Sequence, residues 1–347
     1  MAAGEHGRLL ACWIYGGTPP LGAGDAKYKW GLGDKVIKRP NAMLRTEKRK
    51  AGNSALPNGY YTKKLEIWKE VFEIETMPID AVPFYHGHGK AVANDDYDIS
   101  LSPDGDVPDI TIHLEDNHLS SDQAREWYEA KCIKCAVGFK ENMLMVTNTY
   151  MPQREYDMST DLVVRSTVAA TRIGTNSAVK GYSSSNHNNE YVWELNAGNK
   201  DLSSLFKEFS YVVQPDIVPV PEDDGNDYAA SIQNRSEWNP GMDEGIEVSF
   251  TFSMDDANTV IDDLRAMLGI GDVHANDAMT AKIYKNDTEY LKFSFENAIL
   301  VGFRLSVEQA SHVDGTPMIE AVFQQVQDIT IAEKNDTTNP VGAYELT

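Results

Sequence analysis

The chain has 347 residues, 41% of them hydrophobic, and a formal charge of −22 at neutral pH. That is enough apolar material for one large or two ordinary domains, and no run of 18 apolar residues is present to span a membrane as a helix. So large an excess of carboxylates argues against a protein that grips nucleic acid, because such a grip rests on neutralising phosphates with Lys and Arg.

The charge is uneven along the chain. Residues 1–75 hold 13 Lys and Arg against 8 Asp and Glu, and the remainder holds 18 against 45. The opening stretch MAAGEHGRLLACWIYGG lacks the charged and apolar regions of a secretory signal, which predicts synthesis and folding in the cytoplasm. Cys12, Cys132 and Cys135 are the only cysteines, and an odd number argues for reduced thiols rather than a disulfide framework.

Residues 1–64 read as an extended N-terminal arm: Gly and Pro cluster in GGTPPLGAGD, and the basic run DKVIKRPNAMLRTEKRKAGNSALPNG has too few recurring apolar residues for a core of its own. From residue 65 the pattern changes to short strands separated by turns, so 65–157 is expected to form a first β module. DYDISLS alternates Tyr97, Ile99 and Leu101, DITIHLE alternates Ile110, Ile112 and Leu114, and KCIKCAVGF alternates Ile133, Cys135, Val137 and Phe139. SSDQAREWYEAK, with Ser residues suited to an N-cap and Ala124, Trp127 and Tyr128 at helical spacing, predicts a helix. The region 158–227, rich in Ser, Asn and Asp, reads as a connection or insertion, with a short helix candidate at KDLSSLFKEF.

A second β module is expected over 228–347. GIEVSFTFSM alternates Ile246, Val248, Phe250, Phe252 and Met254, and DDANTVIDDLRAMLG predicts a helix ended by Gly269. FSFENAILVGFRLSV then places Phe293, Phe295, Ile299, Val301, Phe303, Leu305 and Val307 on one side of a strand longer than the roughly 10 residues at which most strands stop. PMIEAVFQQVQDITI follows after a short loop, which predicts a long β-hairpin. The octapeptides IKCAVGFK and AILVGFRL share Val-Gly-Phe followed by a basic residue, a hint of internal duplication. The fold class expected is therefore mainly β: sandwich or barrel modules each with one helix, a long hairpin and an extended arm.

Motifs of catalysis are scarce. The C-x-x-C of Cys132 and Cys135 falls inside an alternating strand, which would send the two thiols to opposite faces and leave Cys132 at the surface. His86 and His88 in FYHGHGK have no third ligand placed beside them, and Gly87 and Gly89 predict a turn. The Asp-rich SPDGDVPD and EDDGND do not follow the spacing of a calcium loop. No nucleophile elbow, zinc-protease motif or phosphate loop occurs, and GLGDK has the wrong continuation for the last. The chain reads as a protein without catalytic, cofactor or metal residues.

An edge as long as that of 293–307 must be closed into a barrel or shared with a neighbour, or it would aggregate. A basic arm, short strands, one helix per module and a terminal pair of long strands together resemble the tail tube protein, or major tail protein, of tailed bacteriophages and archaeal viruses. DITIHLEDN, SSDQAREWYEAKCIKCAVGFK and MLMVTNTYM carry the likeness in the first half, and KFSFENAILVGFRLSVEQ with MIEAVFQQVQDITI in the second. The resemblance implies a virion tail protein, assembled in the host cytoplasm, that forms stacked homo-oligomeric rings, hexameric or trimeric with two modules per chain. It implies contacts with tape-measure, tail terminator and baseplate proteins, and DNA that passes without specific binding. It makes Glu296 and Glu308, with Glu247 and Asp328 after them, candidates to face the lumen, and the apolar residues of 293–307 together with Lys38, Arg39, Arg45 and Arg49 candidates for contact between subunits. A capsid-decorating or adhesin-like β-sandwich is the alternative, and a β-rich carboxylate hydrolase the least supported reading.

Overall fold

Successive side chains of a strand leave on opposite sides, and the chain follows that rule closely: Phe72, Ile74, Thr76 and Pro78 are buried, while Glu73, Glu75 and Met77 between them are half-buried. The computed structural model describes residues 9–15, 27–28, 30–40, 42–50, 60–69, 71–78, 81–92, 98–102, 105–116, 123–140, 143–157, 168–169, 191–196, 200–201, 206–220, 231–238, 246–253, 261–262, 264–265, 268, 277–285, 288–306, 318–326 and 328–333.

In the first half the strands are β1 (Leu9–Tyr15), β2 (Lys27–Tyr28), β3 (Gly31–Lys38), β4 (Ala42–Lys50), β5 (Tyr60–Lys69) and β6 (Phe72–Pro78). Helix α1 (Val82–His88) follows, then β7 (Gly89–Val92), β8 (Asp98–Leu101), β9 (Asp109–Asp116), β10 (Gln123–Lys140), β11 (Met143–Met151) and β12 (Arg154–Asp157). In the second half come β13 (Val168–Ala169), β14 (Tyr191–Asn196), β15 (Lys200–Asp201), β16 (Phe206–Val213), β17 (Pro215–Val220) and β18 (Ser231–Trp238). The last are β19 (Ile246–Ser253), β20 (Asp277–Lys285), β21 (Thr288–Ser306), β22 (Met318–Val326) and β23 (Asp328–Glu333).

The main sheet is antiparallel and runs in the order β3, β6, β11, β10, β16, β19, β22, β21. Two of its strands, β10 with 18 residues and β21 with 19, are long because each meets two successive sets of partners. The first part of β10 lies between β9 and β12 and its last part between β16 and β11. The first part of β21 lies between β20 and β23, and its last part beside β22. The pairings branch but never lead back to a strand already visited, so within the described residues of one chain no barrel closes.

This order is a duplication. β3, β6, β11 and β10 pair in sequence as β16, β19, β22 and β21 do. Each set has a separate two-stranded sheet inserted after its first strand, β4 with β5 and β17 with β18. Each has helical residues after its second strand, namely α1 and a turn around 261–265 in which the Leu268 N–H donates to the Leu264 carbonyl at 3.0 Å. β9 and β20 then flank the long strands equivalently, and β12 and β23 continue the return strands. The two Val-Gly-Phe triplets fall on the equivalent strands β10 and β21. By strand order the repeats begin at β3 and β16, earlier than the expected starts at 65 and 228, and the presumed connector contains a central strand of the sheet.

Among the described residues, one apolar cluster lies behind this sheet. Phe293 and Phe295, both fully buried, meet Phe84 and Phe209 at 5.5 and 5.6 Å and Phe250 at 5.8 Å in edge-to-face geometry, an arrangement that adds to the stabilisation from area burial alone.

Several expected elements are different. SSDQAREWYEAK is strand from Gln123 onward, and bulges explain the helical appearance. The register shifts between Trp127 and Ala130, where Glu129 takes a left-handed φ of 51°, so the buried residues Ala124, Trp127 and Ala130 recur every three residues without a helix. A second shift between Cys132 and Lys134 brings both Cys132 and Cys135 inward, so Cys132 is buried rather than at the surface. KDLSSLFKEF ends in β16, whose alternation of Phe209, Tyr211 and Val213 outweighs the local helical spacing. The expected arm is in part body: β1 pairs with β9, β3 with β6, and Trp30 is fully buried.

FYHGHGK, expected as a turn, lies in the region of α1. Pro83 suits a helix start, and Gly89 closes the helix in a left-handed conformation with φ 86°, its N–H donating to the Tyr85 carbonyl. A Cβ at Gly89 would collide with the Asp106 carbonyl oxygen, and one at Gly87 with the Cβ of Cys135. Gly89→Ala is therefore expected to lower stability by about 2 kcal/mol or more, measured as a lower midpoint in denaturant unfolding.

Candidate assembly interface

The main sheet has one face in the core and one facing out. On β16, Phe209, Tyr211 and Val213 are buried while Ser210 and Val212 are exposed. On β19, Val248 and Phe250 are buried while Glu247 is exposed. Four large hydrophobic residues are exposed among the described residues, Ile37, Met143, Val212 and Val301, and all lie on strands of this sheet. Ile37 and Val301, each 47% exposed, are on its two terminal strands.

One edge is special. On β10, the side occupied by β9 up to Lys131 is occupied by β16 from Cys135. On β21, β20 occupies the corresponding side up to Ala298, and no described strand takes over beside Ile299–Ser306. Among the described residues, no strand takes in the second repeat the place that β16 fills in the first. At the far end of the sheet stands β3, the topological equivalent of β16.

The expected contact residues divide accordingly. Phe293 and Phe295 are core residues of their own chain and have no surface to offer a neighbour. Ile299 and Phe303 are half-buried, and Val301 is exposed where the register shifts between Leu300 and Gly302. Leu305 pairs in register with Ile319, and Val307 and Glu308 lie outside the described residues. Among the expected lumen residues, Glu247 lies on the outward face and accepts a hydrogen bond from Gln324 at 3.2 Å. Glu296 stands in register opposite Asp328 on the other sheet, where Asp328 accepts the Leu101 N–H at 3.2 Å. Lys38 and Arg39 are exposed at the end of β3. Arg45 and Arg49 are on β4, in register with Glu66 and Tyr61 of β5. That hairpin carries Arg45, Lys48, Arg49, Lys50, Lys63, Lys64 and Lys69 against Glu47 and Glu66.

The buried polar groups fasten elements together. Trp30 Nε1–H donates to the Tyr150 hydroxyl at 2.7 Å, and that hydroxyl shares a hydrogen bond with His86 Nδ1 at 2.7 Å. His88 Nδ1–H donates to the Phe84 carbonyl at 2.8 Å and its Nε2 faces the Tyr211 hydroxyl at 3.3 Å. Burial pushes the His88 imidazole down to about 4 against a smaller upward effect of the Phe84 bond, so it is neutral. The two histidines tie α1 to β11 and β16. Burial likewise pushes the Cys132 thiol up to about 12 and Cys135 well above its ordinary value, which leaves both protonated and poor nucleophiles. Among the described residues no group of His, Cys, Asp and Glu is arranged to hold a metal ion.

His113 is different. It is fully buried on β9, with Nδ1 2.9 Å from Glu126 of β10 and Nε2 3.1 Å from Glu115. Two acceptors on the two ring nitrogens require both to carry protons. Burial alone would lower its pKa, but the hydrogen bonds and charges of Glu115 and Glu126 outweigh that and hold it above the ordinary value. A raised pKa contributes stability that is full below the unfolded value of about 6.5 and is lost as pH rises through the folded value. Unfolding midpoints of the wild type should therefore fall on the alkaline side of that range more steeply than those of His113→Gln, which lacks the titrating ring.

Compared with protein-family models and with curated proteins, the chain matches none.

Proposed function

We propose that the protein is a structural subunit that assembles edge to edge into rings, and that stacked rings form a tail tube through which viral DNA passes. The observation that carries this reading is the repeated junction. Within one chain, the last part of β10 pairs antiparallel with β16, the first strand of the second repeat. The last part of β21 has the same neighbours as β10 except for that strand, and β3 of a second copy is its equivalent. Joining β21 of one copy to β3 of the next reproduces between chains the contact already made inside each chain. This is a heterologous interface, and repeated rotation closes it into a ring.

Two further features support the reading. Ile37 and Val301 give the terminal strands exposed aliphatic surface, and an unprotected edge of this kind favours strand addition. The β4 and β5 hairpin is a basic two-stranded sheet of its own, marginal in isolation and opposite in charge to the acidic remainder of the chain. It is suited to lie on a neighbouring copy. With two repeats per chain, three chains supply six equivalent units. The protein acts without catalysis in this role, and tape-measure, terminator and baseplate proteins would meet the ends of the tube.

Electron microscopy of the full chain at high concentration is expected to show rings or tubes of uniform bore. Ile37→Lys and Val301→Lys, alone or together, are expected to leave the subunit folded and to cut assembly at least tenfold, as followed by sedimentation. A parent chain that stays monomeric at high concentration, or a double variant that assembles as before, overturns the edge-pairing role.

A further inference from the structure

Resting on the edge-joined reading, we infer the register of the junction between copies: Gly302 of one copy stands opposite Leu32 of the next, and Ile299 opposite Lys35. The rows of paired residues supply the match. Gly138 is opposite Met145; one residue on, Val146 is opposite Thr76; one further on, Met77 is opposite Leu32. By the same steps in the second repeat, Gly302 is opposite Val322, Phe323 opposite Val248, and Ser249 opposite Ser210. Leu32 therefore holds in β3 the place that Ser210 holds in β16. Within the chain Gly138 stands opposite Ser210, so the repeated junction sets Gly302 opposite Leu32. Ile299 matches Ala136 through their partners Gln324 and Thr147. Lys35 matches Val212: its partner Glu75 precedes Thr76 by one residue, and Val212 follows Tyr211, the partner of Val248. Ala136 and Val212 are opposite each other inside the chain, which sets Ile299 opposite Lys35.

Two features that played no part in this alignment agree with it. The first is a pair of bulges. Inside the chain, Val137 alone separates Gly138 from Ala136, and Tyr211 alone separates Ser210 from Val212. On the terminal strands, Leu300 and Val301 separate Gly302 from Ile299, and Gly33 and Asp34 separate Leu32 from Lys35. Each strand thus carries one extra residue, and each shows it as a register shift against its own inner neighbour, between Leu300 and Gly302 and between Leu32 and Lys35. In the inferred register the two extra residues fall at the same step. They cancel, and the junction runs without interruption from Gly302 and Leu32 to Ile299 and Lys35. A bulged edge is a poor template for a regular strand, so this edge favours a partner with the matching bulge. The second feature is burial. Phe139 and Val213, on the two sides of the junction inside the chain, are 2% and 0% exposed, whereas Phe303 and Val36 at the matching places are half-buried. The cover missing from both is what the neighbouring strand supplies. A slip of one residue turns every side chain to the wrong face and leaves both bulges unmatched.

The test is disulfide trapping in the full chain, whose native thiols Cys12, Cys132 and Cys135 are all buried. A disulfide requires Cα atoms about 4.4–6.8 Å apart, a condition that directly opposite residues meet and residues three places out of register do not. With oxidised glutathione as the oxidant, Gly302→Cys combined with Leu32→Cys, and Ile299→Cys combined with Lys35→Cys, are expected to link most assembled chains into covalent dimers and trimers on non-reducing denaturing gels. β3 and β21 lie at opposite ends of one chain's sheet, so such a link joins two chains. Gly302→Cys combined with Lys35→Cys, three places out of register, is expected to link at least tenfold less. Gly302 has room for the new side chain, since a Cβ there meets no atom within 4 Å. The second pair touches neither Leu32 nor Gly302, and so tests the register even where the first destabilises the fold. Preferred linking of the out-of-register pair, or no linking of either expected pair in chains that assemble, overturns the register and leaves the ring reading in place. A parent chain that does not assemble defeats the ring reading and the register with it.

Discussion

Backbone N–H and C=O groups must find partners, and the fold is organised by how the two long strands meet that requirement. Each strand is handed from one sheet to another along its length. On β10 both sides remain supplied, because β16 takes the place that β9 gives up. On β21, among the described residues, no strand follows β20 on its side after Ala298. Everything proposed about assembly comes from that difference between two otherwise equivalent strands.

The repeated strand order brings both halves onto one apolar cluster of the described residues. The two halves of the main sheet are joined at β10 and β16, and aromatic rings from both converge behind that seam: Phe139 and Phe209 stack at 6.1 Å, and Phe209 meets Phe293 and Phe295. α1 caps the seam through His86 and His88, whose bonds to Tyr150 and Tyr211 reach one strand on each side of it. A junction so tightly fixed within the chain is a sound pattern for a junction between chains, because its geometry is compatible with the twist of the sheet at that point.

Outward and inward faces have separate tasks. The inward side carries nearly all the bulk, down to the buried thiols and the His113 cluster. The outward side of the central strands carries Ala136, Gly138, Ser210, Ser249 and Thr251 together with exposed Lys134, Val212 and Glu247.

The sequence by itself determined the β character, the burial of alternating residues such as Phe250 and Phe252, an exceptionally long strand expected over 293–307 and the likeness of the two Val-Gly-Phe triplets, because period-two patterning and residue identity are local properties. It did not determine where bulges fall. One extra residue at Glu129 turned a strand into an apparent helix, and another near Ile133 brought Cys132 inward. Nor did it show that β3 and β16 occupy equivalent places, that Phe293 and Phe295 are buried in the core, or that no described strand lies beside β21 after Ala298 on one side. Those facts depend on which strands lie side by side, and hydrogen-bond partners far apart in the chain are chosen only when the whole sheet is assembled.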